Sequence, residues 1–151
     1  MMLVLAVVTL LGLATVAVAA ASSAALGNAQ AAAFAKRVLY LEARGQTNRS
    51  YALLHPAQQK LISRSRYVAC LHSSHPRRVK SVSVFRVADW TIAYSGIPQH
   101  EVKAVSVDVI YKDGGRTTFT MSAVPVAGAF RWVFSEDAAA RAATGRCPYG
   151  G

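Results

Sequence analysis

A chain of 151 residues, 53% apolar and with a formal net charge of +10, leaves about 120 residues for folding once its charge-free start is set aside, which suits one domain with one core and excludes a second. All 17 Lys and Arg and all 7 Asp and Glu stand at or after Lys36, so the domain itself is strongly basic: it favours anionic partners and has few carboxylates for acid–base or metal chemistry. With two cysteines and no Cys-x-x-Cys spacing there is no cysteine-built metal site, and no metal, flavin or nucleotide motif appears, so no cofactor is expected.

Leu3 to Ala20 is an apolar run of about 18 residues, between the length of a signal peptide's hydrophobic region and that of a membrane span. Small residues from Ala17 to Ser23 offer cleavage sites after Ala19 or Ala21. Against cleavage, no basic residue precedes the run, and the first ones, Lys36 and Arg37, come after it. Residues 1–27 therefore read as a signal peptide or membrane anchor. The product reads as extracytoplasmic, either secreted or anchored by residues 3–20.

Asn28 to Arg44 is expected to be the first long helix. Ala31, Phe34, Ala35, Val38 and Leu41 follow the helical period, Lys36, Arg37, Glu42 and Arg44 lie mostly off that stripe, and Gly45 is a natural stop. Asn48-Arg49-Ser50 matches a glycosylation acceptor but reads as a polar turn capping the next helix. From Tyr51 to Cys70 the apolar residues Tyr51, Leu54, Leu61, Tyr67 and Cys70 keep helical spacings. Pro56 disfavours helix at His55, so one turn should stop near Leu54 and another begin at Pro56; Ser63 is the next boundary, capping a turn over residues 64–71.

His72 to Arg78 is a polar loop. His72 and His75 have no acidic or Cys partner nearby and do not make a metal site. Arg64, Arg66, Arg77, Arg78 and Lys80 form the densest positive run, which reads either as a solvated face or as a contact for an anionic membrane or envelope polymer. Aromatic side chains that would stack bases are not interleaved with it, which disfavours nucleic acid.

From Val79 the period changes to two. Val82 to Tyr94 reads as a long strand, bent or bulged around Val84 to Val87, and Gly96-Ile97-Pro98 ends it. Val102 to Tyr111 is the second strand and Lys112 to Arg116 a hairpin turn. Thr117 to Val124 returns, Pro125 stops it, and Phe130 to Phe134 is the last strand.

Helices followed by Leu54-His55-Pro56-Ala57-Gln58-Gln59, an aromatic, Cys70 and four strands, then Trp132, a short Ala-rich helix at residues 138–143, Cys147 and Pro148, resemble small exported actinobacterial proteins of the nuclear-transport-factor-2-like superfamily over residues 29–148. The resemblance implies an α+β domain at residues 28–148, with a curved antiparallel sheet of about four strands packed on N-terminal helices as a half-open cone, an apolar helix before it and a tail at 149–151. It implies a cone lined by Tyr51, Leu54, Tyr67 and Trp132. Cys70 and Cys147 are what an exported domain would join, closing a loop of about 77 residues; two separate buried thiols are the alternative.

Enzymes of this superfold, such as ketosteroid isomerases and polyketide cyclases, resemble one another in placing an Asp or His inside the cone. Asp108, set mid-strand, is the candidate here, facing either inward or to solvent, and no Asp-His or Ser-His-Asp spacing supports it. The expected function is that of a non-catalytic envelope binding or interaction domain. The alternatives are an apolar small-molecule carrier using the cone and an isomerase- or cyclase-like enzyme. A cavity with a buried carboxylate favours the enzyme, an empty apolar cavity the carrier, and a cone filled by its own side chains the interaction domain.

Overall fold

A computed structural model describes residues 26–73, 78–94 and 97–149. The apolar run at 3–20, His75 and Arg77 lie outside the described residues, as do most of the signal or anchor segment and Gly150 and Gly151 of the tail. Among the described residues no helix is long and apolar enough to cross a membrane.

The chain runs α1 (Asn28–Ala43), α2 (Thr47–Ala52), α3 (Pro56–Gln59), α4 (Arg64–Ser73), β1 (Val79–Tyr94), β2 (Ile97–Tyr111), β3 (Arg116–Val126), β4 (Ala129–Val133) and α5 (Glu136–Ala143). It is an α+β domain with one open antiparallel sheet in the order β1-β2-β3-β4. α1 stops at Arg44, and Gly45 turns out of the helix at φ 69°, a left-handed conformation that costs glycine little. The three short helices fall where Pro56 and Ser63 place them. His55 Nδ1 accepts from the Ala57 amide, Pro56 fills the first turn of α3, and Ser63 Oγ accepts from the Arg66 amide.

Three strands, β2, β3 and β4, differ in extent from those expected on sequence. β1 is irregular between Val84 and Arg86, as expected, but β2 begins at Ile97 rather than Val102 and pairs back along β1 as far as Tyr94. β3 continues through Pro125, which pairs with Phe130 of β4. β2 has already left β3 at the Lys103 and Ala123 pair, so the missing proline donor breaks no rung on that side. β4 ends one residue early, because the Phe134 amide turns to the Gln58 side chain.

One sheet face is covered by the helices. Ala31, Ala35 and Val38 of α1 pack with Tyr51, Leu54, Ile62 and Tyr67 against Val105, Val107, Met121, Trp132 and Phe134. A smaller cluster, Ile92, Ile97, Val102, Val124 and Val133, closes the far end. Between α2 and α3 the chain passes beside β4: Leu54 forms an isolated parallel bridge to Trp132, with His55 donating to the Trp132 carbonyl at 2.8 Å and Trp132 donating to the Leu53 carbonyl at 3.1 Å. Cys70 and Cys147 form a disulfide across 77 positions, joining α4 to the chain after α5. Tyr149, expected in a tail, instead packs on this core with its ring 6.1 Å from Phe134.

Candidate functional site

The four residues expected to line the interior are all buried: Tyr51, Leu54, Tyr67 and Trp132. Tyr67 is the hub. Its ring meets those of Tyr51, Trp132 and Phe134 at 5.5, 6.2 and 6.3 Å, and Trp132 and Phe134 stand edge to face at 5.2 Å. Polar ends are satisfied locally. Trp132 Nε1 donates to the Ser50 carbonyl at 2.9 Å, and the Tyr51 hydroxyl is 2.9 Å from the Ile62 carbonyl and 3.1 Å from that of Gln59.

The Tyr67 hydroxyl points toward α1, where it donates to Glu42 Oε1 at 2.5 Å. Ser50 Oγ lies 3.1 Å from the same hydroxyl and 3.1 Å from the Thr47 carbonyl, and Tyr149 stands close enough to interact electrostatically with both Tyr67 and Glu42. Glu42 and Tyr149 also line a cavity of about 370 Å³ whose other walls include Val38 and Leu39 of α1, Phe119 and Met121 of β3, and Ala138 and Arg141 of α5. Arg141 is turned aside, its Nε donating to the Cys147 carbonyl at 3.0 Å. The disulfide and this bond hold the segment that carries Tyr149 over the cavity.

Burial pushes the Glu42 carboxyl up to about 7, the hydrogen bond from Tyr67 opposing part of that rise. Burial, then the Glu42 charge, keeps the Tyr67 phenol protonated far above its usual range, and the same two causes raise Tyr149. The phenols are therefore donors and Glu42 is the group that changes state near neutrality. Each hydroxyl carries one proton, so the chain of bonds has two directions. With Glu42 ionised, Tyr67 donates to it; with Glu42 protonated, Glu42 donates to Tyr67, Tyr67 to Ser50 and Ser50 to the Thr47 carbonyl.

Glu42 stands off the apolar stripe expected for α1, although its position carries a signal. It continues the row Ala31, Ala35, Val38, and at 3.6 residues per turn it falls about 20° from Ala31. A carboxylate at the end of a buried row needs a buried donor. That donor, Tyr67, comes from a helix 25 positions away and no local spacing announces it.

Asp108, the catalytic candidate, lies elsewhere. It is buried on the sheet face away from the Tyr67 hub, accepting from Arg116 Nε at 2.6 Å and from Thr118 Oγ1 at 3.1 Å. The Arg116 hydrogen bond holds its carboxyl below the usual range, the opposite of what a neutral-pH base needs. Of the basic group, Arg64, Arg66, Arg78 and Lys80 are described, and all four are exposed. Arg64 and Arg66 are exposed on the first turn of α4, where no acidic residue offsets the helix dipole, with Arg64 5.7 Å from the centre of the Tyr51 ring and Arg66 bonded to the Gly145 carbonyl. Arg78 and Lys80 are exposed where the chain enters β1. Among the described residues no three His, Cys, Asp or Glu side chains gather as a metal centre requires.

Comparison of this chain with protein-family models, with curated proteins and with solved structures finds no match.

Proposed function

We propose that this is an exported, non-catalytic binding domain of the nuclear-transport-factor-2-like type that carries a small, mainly apolar molecule in the cavity between α1, β3, β4 and α5. One polar group of the ligand sits against Glu42. The observation that carries the reading is the Glu42 carboxyl, set in an apolar cavity wall with one oxygen held by Tyr67. A cavity of about 370 Å³ falls within the roughly 300–1,000 Å³ usual for small-ligand sites, mainly apolar walls supply the affinity, and the Glu42 carboxyl fixes orientation. The disulfide supports export, since such bonds persist in oxidising compartments, and the basic exterior supports weak residence at an anionic envelope surface.

The same carboxyl favours a second reading, an isomerase-like proton transfer, because a base that titrates near 7 is suited to that work. The carrier is preferred because the Tyr67 phenol is spent on holding Glu42 and no second acid–base side chain is hydrogen-bonded to it among the described residues. Titration of isotopically labelled protein with medium-chain alcohols, amines and carboxylic acids, read by NMR, tests the proposal. One class should shift Glu42, Leu39, Phe119 and Tyr149 together, with binding weakened in Glu42→Gln. Shifts confined to surface residues for every class would sink the carrier, and proton exchange into a bound carbonyl compound, lost in Glu42→Gln, would establish the enzyme.

A further inference from the structure

The sheet face away from the helices is open over its middle. There the cross-strand pairs form two rows: Arg86, Ser106 and Thr120 stand side by side on β1, β2 and β3, and Ala88, Ala104 and Ser122 stand side by side one pleat further on. Trp90 comes next on β1, 64% exposed although it is one of two tryptophans in the chain and the other, Trp132, is buried. Together these residues line a shallow groove of about 270 Å³. Arg86 and Trp90 are its walls, about 13 Å apart along the strand, and the alanines give a low floor between them.

The chemistry of the groove is specific. A large exposed aromatic on a regular strand is surface that water covers poorly, and its electron-rich face suits the partly positive C–H edge of a sugar ring. Ser106 and Thr120 bond to one another at 3.1 Å, which leaves lone pairs and one proton of that pair for hydroxyls of a ligand. Among the described residues Arg86 has no ion-pair partner, unlike Lys103, paired with Asp89, and Arg116, paired with Asp108. A second copy of the chain would bring another body of charge +10 and another Arg86 against this face, whereas an anionic chain neutralises both.

We infer that this groove binds an anionic polysaccharide of the polyuronate type, one ring stacked on Trp90, its hydroxyls on the Ser106, Thr120 and Ser122 side, and a carboxylate on Arg86. The polysaccharide lies across the strands, between the two walls. The site is separate from the Glu42 cavity, which is on the helix-covered face.

The test uses the purified full chain in non-ionic detergent, with oligogalacturonate, a neutral cello-oligosaccharide and inorganic polyphosphate as probes. Oligogalacturonate should change the fluorescence of Trp90 and bind at least tenfold more weakly to Trp90→Ala, with Trp90→Phe restoring most of the loss because it keeps an aromatic face. Arg86→Gln should weaken oligogalacturonate and reduce its salt dependence while leaving the weaker neutral oligosaccharide unchanged. Equal affinity of Trp90→Ala and wild type for oligogalacturonate would overturn the proposal, as would polyphosphate binding as tightly with the same dependence on Trp90. A concentration-dependent dimer in sedimentation, abolished by Trp90→Ala, would also overturn it by assigning the face to a second copy.

Discussion

Glu42 ionises at a cost borne by the folded state alone. Its carboxyl titrates near 7 when folded and near 4.5 when exposed, so between those values the folded protein binds more protons than the unfolded chain. Its contribution to stability is therefore fully present below about pH 4.5 and is lost as the pH rises through about 7. The difference amounts to about 3 kcal/mol at pH 8. Glu42→Gln keeps the shape and stays neutral. The variant should melt close to wild type at pH 4 and several degrees above it at pH 8, measured by thermal denaturation of both proteins across that range. A pH-independent difference between them would mean that Glu42 is not titrating in the fold. Asp108 makes the opposite case, since Arg116 and Thr118 favour its charged form and hold it ionised.

The segment between α2 and α4 is a clasp, and the sequence Leu54-His55-Pro56-Ala57-Gln58-Gln59 supplies its parts. Gln58, fully buried, accepts the Phe134 amide at 2.6 Å where β4 ends, and Gln59 Nε2 donates to the Tyr51 and Leu54 carbonyls at 2.9 and 3.1 Å. These bonds fix the end of β4, hence the start of α5, hence the position of Tyr149. The disulfide completes that path from the other side. Replacing both Cys70 and Cys147 by Ser should destabilise the domain by about 2–5 kcal/mol, as loss of a native bridge from a small domain does. It should also release Tyr149 from Phe134 and let water reach Glu42. A carboxyl pushed up mainly by burial then falls back toward its ordinary range, so the Glu42 NMR titration midpoint should drop in the double variant. An unchanged midpoint would show that the segment at residues 147–149 is held without the bridge.

Across the whole molecule the charge is unbalanced by ten, with Arg64 and Arg66 exposed on the first turn of α4 and Arg78 and Lys80 exposed where the chain enters β1. The attraction proposed to an anionic membrane or polymer rests on such exposed, screened charges. Each exposed basic residue adds on the order of 1 kcal/mol near an anionic surface, and the effect decays within a Debye length of about 8–10 Å at physiological salt. Binding of the protein to anionic vesicles should fall steeply between low and high salt, and paired removal of Arg64 with Arg66 or of Arg78 with Lys80 should each weaken it by similar amounts. Salt-independent binding, or loss confined to one pair, would point to a defined receptor site. β1, at the edge of the sheet, carries its own protection against pairing with other chains: a bulge after Val84 and the charged Lys80 and Arg86.

Local physics in the sequence determined the order and kind of the elements: the helical row ending near Gly45, the breaks at Pro56 and Ser63, the bulge near Val84 and the hairpin at Lys112 to Arg116. Each depends on residues within a few positions of one another, whose spacing and backbone preferences are written in the chain. Burial of Tyr51, Leu54, Tyr67 and Trp132 was legible for the same reason, large apolar side chains at regular spacings having one face to hide. The tertiary structure alone decided the electrostatics. Whether Glu42 is a solvated charge or a titrating wall of a cavity depends on Tyr67 and Tyr149, brought to it from 25 and 107 positions away (67 − 42 and 149 − 42). Whether Asp108 is a base or an ion-pair member depends on the register that sets Arg116 and Thr118 beside it. A carboxyl's ionisation is fixed by what surrounds it in space, and in this fold the surroundings come from distant parts of the chain.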